Sequence, residues 1–166
     1  GANCVRAARD RIAGKLMGAD LVVIVAGMGG GMGGGGAPVV AEIASERGAL
    51  VLALAIEPFD LEGRNETAQV AVNRLTQVAD TVVLMPNQNV METLGKGASV
   101  PECMEAANGH VLEALMGVGR LARTDGELNA DFEHVRSLMM GYHGESSLVT
   151  VEVAGDARPR ALLEAI

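Results

Sequence analysis

The chain has 166 residues, 49% of them hydrophobic but only 2% aromatic and none Trp, enough for one domain or one and part of another around a core of Val, Leu, Ala and Met. A formal net charge of −8, with the acids spread along the chain, argues against a nucleic-acid backbone as partner. Cys4 and Cys103 lie far apart without CxxC spacing, which speaks for reduced thiols and against a metal site, and with no signal-like segment or apolar run of about 18 residues the expected location is the cytoplasm, without direct membrane insertion.

Residues 5–17 mix Arg and Asp with apolar positions at helical spacing and predict one helix ending near Gly18. Residues 19–26 are continuously apolar and β-branched, as in a parallel strand buried on both faces. A glycine run follows, and Ala37-Pro38 then opens a helix through residues 39–48, with Pro near its first turn and Gly48 past its end. Residues 49–56 form a second apolar strand, stopped at Glu57-Pro58. Ala68, Val72, Leu75 and Val78 recur at three and four, an amphipathic helix over 65–79. A third strand, 81–85, ends at Pro86-Asn87.

Beyond it the pattern predicts a short helix over 89–94, a turn at 95–97, a helix from about Val100 and another over 110–122, broken at Asn108-Gly109. A polar loop over 123–132, a helical stretch over 133–140, an alternating strand over 147–154 and a helix over 157–166 complete the chain. Strand and helix alternate in a way that makes a doubly wound, mostly parallel α/β sheet with helices on both faces, which binds ligands at the carboxyl ends of its strands.

Those ends carry the chemistry. Gly29, Gly30, Gly31, Met32, Gly33, Gly34 and Gly35 stand between a strand and a helix start. So much glycine costs backbone entropy and belongs where the chain needs positive φ or where a ligand must touch the main chain. The amides of such a loop and of the following first turn point at one spot and hold an anion such as phosphate. A flexible linker of the same composition is the competing reading.

The order of the glycine run, Pro58-Phe59-x-x-Glu62-Gly63, Pro86-Asn87 and Asn129-x-Asp131-Phe132-x-x-Val135-Arg136 resembles bacterial FtsZ of the tubulin superfamily. The resemblance runs from about Ala8 onward. It implies a guanine-nucleotide-binding domain, a long central helix, and polar filaments in which one subunit completes the next one's GTPase site. GTP or GDP is the implied ligand, with Mg2+ left open, held by residues 29–35, Glu62 against the ribose, Asn87, and His110 at the start of the central helix. Asn129 and Asp131 are the implied catalytic pair. The domain division that follows is a partial nucleotide-binding domain over 1–122, with the central helix near 110–122, a connecting loop and helix over 123–140, and the start of a second α+β domain over 141–166. By the same comparison the first strand and first nucleotide loop lie upstream of Gly1 and the second domain continues past Ile166.

The chain departs from that pattern at defined places. Met32 and Gly34 replace two threonines of the glycine loop, which removes hydroxyls and leaves the amides. Glu66 replaces a ribose-facing Arg, His110 stands where an Asp pairs with guanine, and His134 replaces the second carboxylate of the catalytic loop. Two functions therefore remain open: a GTPase with weakened or lost hydrolysis that self-associates into filaments, and a non-hydrolysing structural or regulatory paralogue that joins another FtsZ-like protein with or without nucleotide.

Overall fold

A computed structural model describes residues 1–95, 97–121, 137 and 144–146. In chain order the elements are α1 (Ala2–Ala7), α2 (Arg9–Lys15), β1 (Leu21–Gly27), α3 (Gly33–Glu46), β2 (Leu50–Glu57), a single 3-10 turn (Asp60–Glu62), α4 (Asn65–Thr76), β3 (Thr81–Pro86), α5 (Asn87–Leu94), α6 (Val100–Leu121) and β4 (Gly144–Ser146). The strands lie in the order β1-β2-β3-β4, all parallel, with Ala53 beside both Ile24 and Val82. The α/β architecture expected from the alternation of patterns is thus present.

Residues Leu50 to Ala55 of β2 are buried on both faces because β2 is central and helices cover both sides. On one face α3 and α4 pack Ala37, Ala41, Ala44, Ala68, Val72 and Leu75 against Val22, Ile24, Val51, Ala53 and Val82. So many alanines let the helix axes approach the sheet closely. On the other face Ala114 and Val118 of α6 meet Leu52, Leu54 and Val83. The carboxylate of Asp80 accepts the Val51 amide at 2.8 Å, and the Asp80 amide donates to the Val51 carbonyl at 3.0 Å, locking the entry to β3 onto β2.

Four elements differ from the sequence reading. β1 is the edge strand among the described residues, so only Val22, Ile24 and Ala26 are buried, while Val25 on the opposite face is 42% exposed. The N-terminal helix divides at Ala8, whose φ of −100° and ψ of 11° are not helical. α6 is one helix of 22 residues and runs straight across Asn108-Gly109. A lone helix glycine costs only about 1 kcal/mol, and burial of Cys103, Ala107, Ala114 and Val118 along one stripe outweighs it.

The fourth difference matters most. α3 begins at Gly33, so Gly33, Gly34, Gly35 and Gly36 are its first turn and Pro38 sits inside the helix. The glycines are there because neighbours leave no room. A Cβ at Gly33 would overlap the Gly27 carbonyl at the end of β1. One at Gly34 would come 3.0 Å from the Ala71 Cβ of α4, and one at Gly36 would come 2.9 Å from the Val5 Cγ2 of α1. Tertiary contact overrides helix propensity here. Apart from Ser137, which is helical, the elements expected over residues 123–140, 147–154 and 157–166 lie outside the described residues.

At its start α6 carries Ser99-x-x-Glu102, in which the Ser99 amide donates to Glu102 Oε2 at 2.7 Å and the Ser99 hydroxyl donates to the same oxygen at 2.7 Å. This is a reciprocal N-terminal cap. The Ser99 hydroxyl, and after it the Ser99 amide, hold the Glu102 carboxyl below its ordinary value.

Gly33→Ala lowers stability by about 1–3 kcal/mol through overpacking against backbone. Gly14→Ala in α2, where a Cβ meets nothing within 4 Å, raises it by up to about 1 kcal/mol, both read by chemical denaturation. Because the folded-state pKa of Glu102 is depressed, the stability from its cap is complete above the unfolded value and is lost as pH falls through the folded one. An NMR titration finds Glu102 ionising at lower pH than in a Ser99→Ala variant.

Candidate functional site

The carboxyl ends of β1, β2 and β3 release the chain into three segments that meet. The loop after β1, residues 28–32, is tied down by the Met28 amide, which donates to the Ile56 carbonyl of β2 at 2.7 Å, and by the Met28 side chain, which is buried. Gly29 then turns with φ +82°, a left-handed conformation that favours glycine. The Gly34 amide donates to Gly30 at 2.9 Å and the Gly36 amide to Met32 at 2.7 Å, starting the helix. The amides of Gly31, Met32 and Gly33 stand ahead of those bonds at the positive end of α3, where a helix presents its unpaired donors.

Met32 is the N-cap residue of α3, gives no side-chain capping bond, and is 66% exposed. Gly1 at the head of α1 rests against the Gly31 carbonyl, and a Cβ at Gly35 would lie 3.1 Å from the Ala2 amide nitrogen. The starts of α1 and α3 therefore adjoin. Of residues 29–35, Gly31 and Met32 are exposed, Gly29, Gly30, Gly33 and Gly35 are half-buried and Gly34 is buried, and Gly33, Gly34 and Gly35 belong to the helix and not to the loop.

The segment after β2 is pinned by Phe59, 1% exposed and among the largest fully buried side chains. Its amide donates to Glu62 Oε1 at 2.9 Å across the 3-10 turn. Arg64 pairs with Glu62 Oε2. Asp60 accepts the Asn65 side-chain amide at 2.6 Å, and its own amide donates to Gln88 at 3.3 Å. Glu66 lies exposed in the first turn of α4.

After β3 the chain enters α5 directly at Asn87, two residues earlier than the sequence pattern predicts. Asn87 belongs to two adjoining clefts. One, of about 190 Å³, is bounded by Ile56, Phe59, Glu62, Met104 and Asn108 as well as Asn87. The other, of about 360 Å³, lies between β3, α5 and α6 and includes His110 and Glu113. Glu62 and Asn87 are thus brought together, as are Asn87 and His110. The glycine loop borders neither cleft and approaches the site from the β1 side, touching the Glu62 segment where a Cβ on Gly29 would come 3.1 Å from the Arg64 Cβ. Asn129 and Asp131, with Glu133 and His134, lie outside the described residues.

Asn108, Met104 and Arg64 were not singled out by the sequence reading. Met104, Ala107, Asn108 and Val111 repeat at three and four, so the period of a continuous helix was the available signal, hidden by the break assigned at Asn108-Gly109. Among the described residues no group of three or more His, Cys, Asp or Glu side chains is placed to hold a metal ion.

Comparison with known proteins fits this geometry. Residues 1–95 match the model of the Tubulin/FtsZ family, GTPase domain. The chain is 41% identical over 133 residues to the cell division protein FtsZ of Haemophilus influenzae, covering 79% of this chain and 32% of that protein. It is 36% identical over 167 residues to FtsZ of Coxiella burnetii, covering 99% and 43%. Among solved structures it is similar to an empty FtsZ dimer from M. jannaschii, with TM-score 0.79, 33% identity, and coverage of 84% of this chain and 41% of the other. A GTPγS-bound protofilament of CetZ2 from Haloferax volcanii is similar at TM-score 0.62 and 26% identity, covering 82% and 42%. The chain therefore spans less than half the length of each of these relatives.

Proposed function

The chain belongs to the Tubulin/FtsZ family, and from that premise we propose that it is part of an FtsZ-like, cytoplasmic cell-division protein that binds GTP or GDP and self-associates into polar filaments. The observation that carries this reading is the meeting of three strand ends: the main-chain surface of residues 29–35 at the start of α3, Glu62 after β2, and Asn87 after β3. Phosphate goes to the amides of the glycine loop, where the helix dipole and unpaired donors favour an anion. The ribose goes to Glu62, an acceptor of hydroxyl hydrogens, and the base to Asn87 and His110, the latter in the cleft that Asn87 shares. A magnesium ion in such a site is held largely by the nucleotide's own phosphates, with few protein ligands.

Hydrolysis in this reading falls to Asn129 and Asp131, acting on the nucleotide of a neighbouring subunit, and it is weakened. His134 replaces a carboxylate, and a neutral imidazole carries no negative charge to orient a water; losing one acid–base group commonly lowers a rate by about 10²–10⁴. The second reading is a non-hydrolysing structural paralogue that joins another FtsZ-like protein. Met32, exposed where a threonine hydroxyl is the family pattern, favours it. In either case the domain division is residues 1–122 for the nucleotide-binding part, 123–140 as connection and 141–166 as the start of a second domain. Among the described residues no helix is long and apolar enough to cross a membrane.

Titrating the full-length protein with GTP and GDP while following phosphate release and light scattering separates the two. Slow, saturable phosphate release that Asp131→Ala abolishes supports the GTPase, and scattering without release supports the paralogue. Asn87→Ala weakens GDP binding about tenfold, the equivalent of one hydrogen bond lost at about 1–1.5 kcal/mol, read by calorimetry.

A further inference from the structure

We propose that Arg64 is a positioning residue for Glu62 and sets how well the site discriminates a ribose from a sugar without vicinal hydroxyls; this rests on the nucleotide reading above. Both oxygens of Glu62 are engaged, Oε1 by the Phe59 amide at 2.9 Å and Oε2 by the Arg64 guanidinium. An ionised carboxylate has about four acceptor positions, so one remains on each oxygen. Two aligned acceptors on a fixed carboxylate match the two hydroxyls of a 2′,3′-diol. The Phe59 amide alone fixes one oxygen and leaves the carboxylate free to rotate about it; the guanidinium supplies the second point.

Arg64 is itself anchored. It is the N-cap residue of α4, and its Cβ and carbonyl oxygen stand 3.1 and 3.3 Å from where a Gly29 Cβ would be, so the side chain starts from the seam between the glycine loop and the Glu62 segment. Other acids crowd the same rim. Glu57 and Asp60 share the neighbouring cleft with Asn65 and Gln88, and Glu66 follows Arg64 by two residues. Their field disfavours an approaching polyphosphate, and the Arg64 cation, paired with Glu62, opposes it. The side chains of the pair are 52% and 23% exposed, so the hold is modest and screened by salt. Its effect is a bias in binding and not an all-or-none requirement.

The test uses calorimetric titration of the full chain with GDP and with 2′,3′-dideoxy-GDP. Arg64→Ala weakens GDP about threefold to fivefold and leaves dideoxy-GDP within twofold, while Arg64→Lys, which keeps the charge, restores most of the GDP affinity. Thermal unfolding of each variant reports its folding separately. Equal loss of both nucleotides, with or without a drop in melting temperature, overturns the proposal by assigning Arg64 to phosphate binding or to the fold, and so does an unchanged GDP affinity. Absence of saturable GDP binding by the unsubstituted chain overturns the nucleotide reading and this proposal together, whereas binding with unaltered sugar discrimination overturns only the role of Arg64.

Discussion

The first turn of α3 is wedged where there is no space for side chains, and much of the molecule depends on that contact. Gly33 abuts the end of β1, Gly34 faces α4 and Gly36 faces α1. One short stretch therefore sets the separation of three elements from α3. Glycine in a helix interior costs backbone entropy, and Pro38 removes a further intrahelical bond by leaving the Gly34 carbonyl without its amide partner. The helix forms nonetheless because Ala37, Val39, Ala41, Ile43 and Ala44 are nearly inaccessible to solvent. Burial on that scale outweighs poor local propensity.

The wedge also orders the site. It brings the positive end of α3 to the carboxyl edge of the sheet, while the bond from the Met28 amide to Ile56 holds the loop level with the end of β2. From there the Phe59 anchor and the 3-10 turn carry Glu62 inward, and the immediate start of α5 carries Asn87. The site thus has two chemically different ends. One is backbone amides and a helix dipole; the other is side chains on separate elements, among which α6 contributes Asn108 and His110 as one continuous helix.

The parallel sheet was readable from the three apolar runs because each is short, rich in β-branched or aliphatic residues and bounded by glycine, proline or polar residues, and the amphipathic stripe of α4 was equally plain. The glycine run was correctly placed but incompletely understood. Composition cannot tell a glycine that confers freedom from one that admits a neighbour, and Gly33 to Gly36 are of the second kind. The break assigned at Asn108-Gly109 failed for a related reason, since the stripe of Cys103, Ala107, Ala114 and Val118 that sustains α6 is recognised only across the supposed break. Exposure of Val25 depends on what lies beside β1, a property of sheet order that a strand's own sequence does not carry. The link between Arg64 and Glu62, two residues apart in a tight turn, depends on side-chain direction and on the buried Phe59 behind it.

A surface built from main chain has an unusual relation to mutation. Peptide amides are identical whatever the residue, so the main-chain donors of the glycine end survive exchange of an exposed side chain such as Met32 and are displaced only by a collision of the kind Gly33 avoids. The opposite end is written in replaceable side chains. Change is therefore asymmetric in its physical cost: the main-chain amides at the start of α3 persist for as long as the fold does, while side chains at the ends of β2 and β3 can be exchanged without disturbing it.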